Sequence, residues 1–198
     1  MKIGIFGGSF NPPHIMHKKL VEELIKEGYV DKVIFVPTGM KYEYKNNLIS
    51  NEDRYNMIQL LIKDNNSLEV SDYEFTEEVT YTYQTLDYYQ NKYKEDKIYF
   101  ICGTDNLSYI DKWKRGEYIL EKYPLLIIKR NTDEISPLLE KYKKYQDNII
   151  VTGIHPVDLS STDIRQLIKE DNKQELEKVL TKEVLDYIEE HNLYKESI

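Results

Sequence analysis

The chain has 198 residues, with 27 Lys and Arg against 35 Asp and Glu, so its formal net charge is −8. A chain of this length fits one domain and can bury about 70% of the surface that its unfolded form exposes. The single cysteine, Cys102, excludes an internal disulfide and a zinc site made of several cysteines. The acidic balance argues against nucleic acid as a partner, because such binding depends on clustered Lys and Arg. No window reaches ~18 consecutive apolar residues, so we expect a cytoplasmic protein with no membrane partner.

The first elements predict a strand, a helix and a second strand. Residues 2–6 (KIGIF) are an apolar run that ends in two glycines, which is typical of a strand entering a tight turn. Apolar positions then recur at helical spacing over residues 15–25, and Gly28 follows where a helix C-terminus favours glycine. Residues 32–36 (KVIFV) form the next apolar run. This order predicts a βαβ unit with parallel strands.

The same alternation continues along the chain. The predicted elements are a helix from a Ser50 cap to Ile62, a strand over 68–71, a helix over 82–93, a strand over 98–102, a helix over 116–122, a strand over 125–129, a helix from 136 to about 145, and a strand over 149–152. Such alternation predicts a doubly wound α/β fold with a parallel sheet. After Ser160 only helical patterns occur, over 160–170 and 173–191, with Thr181 as a cap. We therefore predict a single domain over 1–198 that includes a C-terminal helical segment over about 160–198.

The turn after the first strand carries the strongest signal for a binding site. In an open parallel sheet, ligands bind beyond the carboxyl ends of the strands. Gly7 and Gly8 follow that strand directly, so their backbone can approach a phosphate closely. His14 and His17 are three residues apart at the start of the next helix, whose N-terminus attracts an anion. A lone His-x-x-His is more often structural, but the preceding strand and glycines favour phosphate binding here.

Residues 160–165 (SSTDIR) predict a second phosphate site. Ser160 or Ser161 caps a helix whose free amides face outward. The hydroxyls of Ser161 and Thr162 add donors, and Arg165 offers two parallel N–H groups to phosphate oxygens one turn further in. The alternative is an ordinary capped helix with a solvated or acid-paired Arg165. Together with the glycine turn, this segment completes a triphosphate clamp, which predicts ATP.

Three other residues fall at the same sheet edge. Asp105 follows the strand that ends at Gly103, and its carboxylate suits ribose hydroxyls or a hydrated Mg²⁺. The alternative role of Asp105 is a cap for a helix over 106–110. Trp113, which is flanked by cations, suits a flat, negatively charged ring, or else anchors the core. Arg130 closes a strand and could hold a nucleotide phosphate.

Four segments together resemble the nucleotidylyltransferase superfamily. They are GGSFNPPHIMH (7–17), similar to its ATP-binding signature, TYTYQTL (80–86), similar to its acceptor segment, CGTDNL (102–107) with KWK (112–114), and LSSTDIR (159–165), similar to its phosphate motif. They occur in the expected order over residues 2 to about 191. The resemblance implies transfer of the adenylyl group of ATP to the pyridine mononucleotide nicotinic acid mononucleotide. The products would be deamido-NAD and pyrophosphate, with Mg²⁺ bound through the ATP phosphates.

The resemblance also implies roles for individual residues. ATP would contact Gly7, Gly8, Ser9, Phe10, His14, His17, Gly103, Asp105, Ser161, Thr162 and Arg165. Among these, the catalytic residues would be His14, His17 and Arg165. The mononucleotide would contact Lys45, Thr82, Tyr83, Thr85, Asp105, Trp113 and Arg130. No residue is assigned to a protein-bound metal ion.

Two departures from the superfamily pattern keep other interpretations open. Met16 replaces a glycine between the two histidines, and the loop from Met40 to Lys45 replaces a Pro-Pro-His-Lys segment, so that either Lys41 or Lys45 is the contact. One alternative is a sister enzyme that acts on nicotinamide mononucleotide, phosphopantetheine or another phosphate acceptor. The other is a nucleotide-binding regulatory protein that has lost catalysis. The sequence does not separate exposed from buried faces, so a homo-oligomer also stays open.

Overall fold

The protein is built on a parallel sheet, as a computed structural model that describes residues 1–40, 48–130 and 132–195 shows. The strands are Lys2–Gly8 (β1), Lys32–Pro37 (β2), Leu68–Val70 (β3), Lys97–Gly103 (β4), Leu125–Ile128 (β5) and Ile149–Val151 (β6). They form one six-stranded sheet in the order β3-β2-β1-β4-β5-β6, and every neighbouring pair is parallel. The predicted doubly wound α/β fold is therefore confirmed.

Helices connect the strands and follow the last of them. The α-helices are Ile15–Lys26 (α1), Asn51–Ile62 (α2), Thr82–Lys92 (α3), Thr104–Tyr109 (α4), Gly116–Lys122 (α5), Ser136–Lys141 (α6), Ser161–Lys169 (α7), Lys173–Val179 (α8) and Lys182–Glu190 (α9). Short 3-10 helices cover Ile110–Lys112 and Lys143–Asn148. In the described part of the chain, no helix is long and apolar enough to cross a membrane.

Two hydrophobic cores lie on opposite faces of the sheet. Successive strand residues point to opposite faces, so Val33 and Phe35 of β2 enter one core, while Ile34 and Val36 enter the other. The first core also takes apolar residues of α1, α2 and the C-terminal helices α7 to α9. The second takes those of α3, α4 and α5. Burial on both faces explains why these strands read as continuous apolar runs in the sequence.

The predicted helix boundaries are largely confirmed by their caps. The hydroxyl of Ser50 accepts a hydrogen bond from the backbone N–H of Asp53 at 3.0 Å, and Ser160 and Thr181 cap α7 and α9 in the same way. Gly28 follows α1 with a φ of +78°, the left-handed conformation that glycine adopts without strain. Capping is a local interaction, which is why the sequence predicts it.

Two predictions about helices need correction. The helix predicted to run to about residue 145 ends at Lys141, because Tyr142 leaves helical geometry (φ −104°, ψ 24°) and buries its ring, with the hydroxyl 3.1 Å from Asp111. The segment after β4 is helical from Thr104 without any intervening loop. Asp105 therefore lies inside the first turn of α4, and Gly103, not Asp105, occupies the cap position.

Candidate active site

The predicted site residues gather where the winding of the sheet reverses. β1 and β4 are neighbours at the centre of the sheet, with β2 and β3 on one side and β5 and β6 on the other. This is the topological switch point, where open α/β sheets bind ligands beyond the carboxyl ends of the strands. β1 ends there at Gly7 and Gly8, and β4 ends at Gly103. Two cavities open at this edge, and both are bordered by Gly7, Ile101 and Asn106.

The first cavity has a volume of about 210 Å³ and contains five of the predicted residues besides Gly7. These are His14, His17, Gly103, Asp105 and Arg130. The remaining wall is partly apolar and includes Met16, Leu20, Ile128, Pro156, Val157 and Leu159. A cavity with a few polar groups on an otherwise apolar wall is typical of a site for a small molecule or cofactor.

The two histidines of the first turn are locked against each other. His14 caps α1, and its backbone N–H donates a hydrogen bond to Nδ1 of His17 at 3.0 Å. Their rings stack with centroids 3.7 Å apart, and the ring of Phe10 contacts His17 edge-on at 5.0 Å. Met16, which lies between the two histidines in sequence, also lines the cavity. The histidine rings stack although Met16 replaces the expected glycine.

Burial keeps both histidines neutral. It lowers the pKa of His14 to about 4. Burial, together with the nearby His14, also lowers the pKa of His17 well below its usual value of 6.5. Nδ1 of His14 is buried and has no hydrogen-bond partner among the residues that the structure describes. A buried polar atom without a partner is costly, and this one belongs to a ring on the wall of the first cavity.

The turn that follows β1 is held by α7. Ser161 donates its hydroxyl to the carbonyl of Pro12 at 2.9 Å, and Arg165 Nη1 donates to the carbonyl of Asn11 at 2.7 Å. Arg165 Nη2 also donates to Thr162 Oγ1 at 3.1 Å. The two predicted halves of a phosphate clamp are thus adjacent, although Ser161, Thr162 and Arg165 do not line either cavity.

Ser9 and Phe10, in the same turn, make contacts within the protein that the sequence does not predict. The carbonyl of Ser9 accepts a hydrogen bond from the buried Arg54 at 2.9 Å. Phe10 has a φ of +48°, and its ring is 3% exposed, packed among Phe6 and Phe35. A Cβ on Gly8 would lie 3.2 Å from this ring, so the glycine makes room for it. The side chain of Phe10 therefore belongs to the core, and only its backbone could reach a ligand.

The second cavity, of about 190 Å³, lies on the other side of the end of β1. Of the predicted residues besides Gly7, it contains Gly8, Thr82, Thr85 and Trp113. The N-terminus of α3 is at this wall, and its own first turn has no acidic residue, so the helix dipole attracts an anion, and the carboxylate of Glu74 already lies near it. The Thr85 hydroxyl is directed at Glu74, whose Oε1 it reaches at 2.8 Å. Glu74 also lines this cavity.

Trp113 borders this cavity, but the cations around it are engaged elsewhere. Its ring is half-buried against Phe100, with centroids 6.1 Å apart. Lys114 lies 4.5 Å from the centroid of Tyr81. Arg115 lies against Tyr83 and Tyr118, at 5.0 and 4.0 Å. These contacts are cation–π interactions with tyrosines. Tyr83, predicted to contact the mononucleotide, does not line the cavity.

Two other predicted acceptor contacts differ in position. Arg130 lines the first cavity instead of the second, where its guanidinium lies 3.6 Å from Asp158. Asp105, predicted for both ligands, also lines only the first. Lys45, and with it Lys41, lies outside the described residues. Sequence reasoning missed Asn106, which borders both cavities, and Glu74, although Asn106 belongs to the CGTDNL segment that carried the resemblance.

A parallel sheet of order 3-2-1-4-5-6 with ligand cavities at its switch point defines a nucleotide-binding α/β protein. Residues 5–167 match the model of the Cytidylyltransferase-like family. The chain belongs to this family of nucleotidyltransferases and, within it, to the nicotinate-nucleotide adenylyltransferases, as the relatives described next show.

Those relatives match the chain over its full length. A protein of Caldicellulosiruptor saccharolyticus named "Probable nicotinate-nucleotide adenylyltransferase" is 39% identical over 99% of this chain and 100% of its own. A protein of Carboxydothermus hydrogenoformans with the same name is 36% identical, over 98% of both chains. The structure of Plasmodium falciparum nicotinic acid mononucleotide adenylyltransferase complexed with NaAD superimposes with a TM-score of 0.81, covering 98% of this chain and 97% of that one. At 24% identity, this last likeness shows the shared fold.

Proposed function

We propose that this protein transfers the adenylyl group of ATP to nicotinic acid mononucleotide, releasing pyrophosphate and forming deamido-NAD. The observation that carries the proposal is the pair of cavities that meet at Gly7 and Asn106 beside the buried, unpartnered Nδ1 of His14. Joining two nucleotides requires two sites that share a border, because the reacting phosphates must lie next to each other. The full-length relatives bear the name of this activity.

The first cavity suits ATP. Its apolar wall, which includes Val157 and Leu159, suits the adenine ring, and the carboxylate of Asp105 suits the ribose hydroxyls. The phosphates would then lie towards His14 and His17 and the N-terminus of α1. Arg165, one hydrogen bond away from the same turn, would hold the outer phosphates.

The second cavity suits the mononucleotide. The N-terminus of α3 would attract the nicotinate carboxylate, with donors from the backbone and from Thr82. The face of Trp113 would stack on the pyridinium ring, whose positive charge adds a cation–π attraction. Thr85 would act through its hydrogen bond to Glu74, because its hydroxyl proton is already donated there.

The chemistry requires positioning and charge stabilisation without a nucleophile from the protein. An oxygen of the mononucleotide phosphate attacks the α-phosphorus of ATP, a new P–O bond forms, and the bond to the oxygen that bridges to the β-phosphate breaks. Both electrons of that bond leave with pyrophosphate. His17 would donate from Nε2 to a phosphate oxygen, because its Nδ1 accepts the backbone bond from His14. Neutral donors suffice for this role, in agreement with the lowered pKa of both histidines.

The proposal includes Mg²⁺ bound through the ATP phosphates. When bound, the ion neutralises charge on the leaving pyrophosphate. No group of three His, Cys, Asp or Glu side chains that could hold a metal occurs among the described residues, so the triphosphate would supply most of the ligands.

The test is pyrophosphate release from ATP with separate acceptors. Nicotinic acid mononucleotide, nicotinamide mononucleotide and phosphopantetheine are each supplied with ATP and Mg²⁺, and the dinucleotide product is identified by mass. We expect release with nicotinic acid mononucleotide and a product of the mass of deamido-NAD. Release with phosphopantetheine alone, or with none of the three, would overturn the proposal.

A further inference from the structure

Tyr194, almost at the end of the described chain, contacts the turn that follows β1. Its hydroxyl donates a hydrogen bond to Oδ1 of Asn11 at 2.8 Å, across 183 residues of sequence. The side chain packs against the core formed with the C-terminal helices, and burial raises the pKa of the phenol well above its usual value. Tyr194 has a φ of +64°, a left-handed conformation that a bulky residue rarely adopts. An uncommon backbone conformation thus accompanies this hydrogen bond.

Asn11 is the point where three parts of the chain meet. It is 4% exposed, and its side-chain oxygen also lies 3.4 Å from the backbone N–H of Ile49, just before α2. Its backbone carbonyl accepts the bond from Arg165 Nη1 at 2.7 Å. A shift of Asn11 would therefore move the partner of Arg165 as well as the chain that leads to His14.

Ser9, two residues before Asn11, is held by Arg54 of α2. This arginine is fully buried, and its guanidinium donates to the carbonyls of Ser9 and Ile49 and to Asn51 Oδ1, at 2.9, 3.2 and 2.8 Å. Burial lowers the pKa of Arg54 to about 10, so it remains charged at neutral pH. The turn over residues 9–13 is thus fixed from α2, from α7 and from the C-terminal segment.

We propose that Tyr194 is a positioning residue for the phosphate-binding turn: its hydroxyl fixes Asn11 and thereby the positions of Arg165 and His14. The inference rests on the proposed function, because it takes the turn over residues 9–13 as the one that holds the phosphates of ATP. It assigns the C-terminal segment a part in nucleotide binding, beyond its packing on α2. Misplacement of reacting groups by about 1 Å can cost as much as ~10² in rate, so one lost hydrogen bond at this junction has a measurable effect.

The variant that tests the proposal is Tyr194→Phe, which removes one hydroxyl and keeps the ring. The matched control is Tyr187→Phe. Tyr187 lies in the same C-terminal segment, and its hydroxyl bonds α2, donating to Asp53 at 2.8 Å and accepting from Asn56 at 3.2 Å, but it does not contact residues 9–13. Both variants remove a hydrogen-bonded hydroxyl from the C-terminal segment, but only Tyr194→Phe removes a contact to the turn, so the control measures the effect of stability alone.

We expect Tyr194→Phe to lower kcat/KM for ATP about tenfold, with the KM for the mononucleotide within about twofold of the parent. Tyr187→Phe should leave both constants within about twofold, with a similar change in melting temperature. Asn11→Ala should cause a loss that Tyr194→Phe does not deepen, because both act through one contact. Equal kinetics in the two tyrosine variants, or additive losses in the double variant, would overturn the proposal.

Calorimetric binding of a non-hydrolysable ATP analogue separates this inference from the proposed function. If the parent binds the analogue but transfers to no acceptor, the proposed function fails, and an affinity about tenfold weaker in Tyr194→Phe still supports the positioning role. An unchanged affinity in Tyr194→Phe would overturn that role. If the parent does not bind the analogue, both proposals fail.

Discussion

The backbone N–H of His14 donates a hydrogen bond to Nδ1 of His17 at 3.0 Å, and this contact decides how the second histidine can act. A neutral imidazole has one N–H, and a nitrogen that accepts a hydrogen bond does not carry it. The proton of His17 is therefore on Nε2, the atom left to face a phosphate. The helix cap thus sets the tautomer of a residue that we propose to be catalytic.

Replacing His17 with alanine should lower kcat by about 10² to 10³, the usual effect of losing one donor to transition-state charge. The His17 ring packs on Phe10, so a melting temperature is measured beside the kinetics to show that the fold persists. His191→Ala is the matched control, because His191 is exposed, stacks on Tyr187 and lines neither cavity. Steady-state kinetics of both variants decide the matter. Activity of His17→Ala within threefold of the parent would remove it from the mechanism.

Arg165→Ala should raise the KM for ATP more than the KM for the mononucleotide, because Arg165 contacts the turn that we propose to bind triphosphate. Arg165→Lys should recover only part of the loss. A lysine keeps the charge, but it lacks the planar guanidinium that bonds Asn11 and Thr162 at the same time. Michaelis constants for both substrates are the measurement, and equal changes in the two would contradict the assignment.

The low pKa of His14 should make stability depend on pH. The folded protein binds this proton only near pH 4, whereas the unfolded chain binds it near the usual value of 6.5. Between these values the unfolded state holds more protons, so the free energy of unfolding should decrease as the pH falls through this window. His17 adds to the effect in the same direction.

Urea unfolding at about pH 7.5 and about pH 6 tests this expectation. The decrease in the free energy of unfolding on acidification should be larger in the parent than in His14→Gln, which keeps a polar side chain without that titration. Carboxylates contribute equally to both proteins, so the comparison isolates the histidine. A decrease of the same size in both would contradict the buried neutral state of His14.

Trp113→Ala should raise the KM for the mononucleotide at least about tenfold, since an aromatic–cation contact contributes up to about 2 kcal/mol when it is desolvated. The KM for ATP should change little, because Trp113 lines the second cavity and not the first. Trp113→Phe keeps a flat face and should retain most of the affinity. A matching rise in both Michaelis constants after Trp113→Ala would point to a structural role beside Phe100.

The predictable parts of this protein are those set by neighbours in sequence. The apolar strands, the caps at Ser50, Ser160 and Thr181 and the left-handed Gly28 all follow from a few adjacent residues. The same is true of the glycine turn and its two histidines, and the rule for open α/β sheets then places them at a ligand edge.

The unpredicted parts depend on contacts between distant residues. The bond between Tyr194 and Asn11 joins the two ends of the chain, and no local pattern announces it. Arg130 is predicted to close a strand but instead follows β5, which ends at Ile128, and only the sheet order puts it beside the first cavity. The sequence places cations on both sides of Trp113, but in the structure Lys114 and Arg115 contact tyrosines from other elements.

The most direct test of the proposed substrate is the ratio of kcat/KM for nicotinic acid mononucleotide to that for nicotinamide mononucleotide. The first carries a carboxylate where the second carries a carboxamide. A site whose hydrogen-bond donors pair with a negative charge binds the uncharged group less well, because its buried donors are then left unpaired. The N-terminus of α3 and Thr82, on the wall of the second cavity, are the donors that we propose for this carboxylate. We predict a ratio of at least about 10² in favour of the acid. Comparable values for the two mononucleotides, or a preference for the amide, would contradict the account.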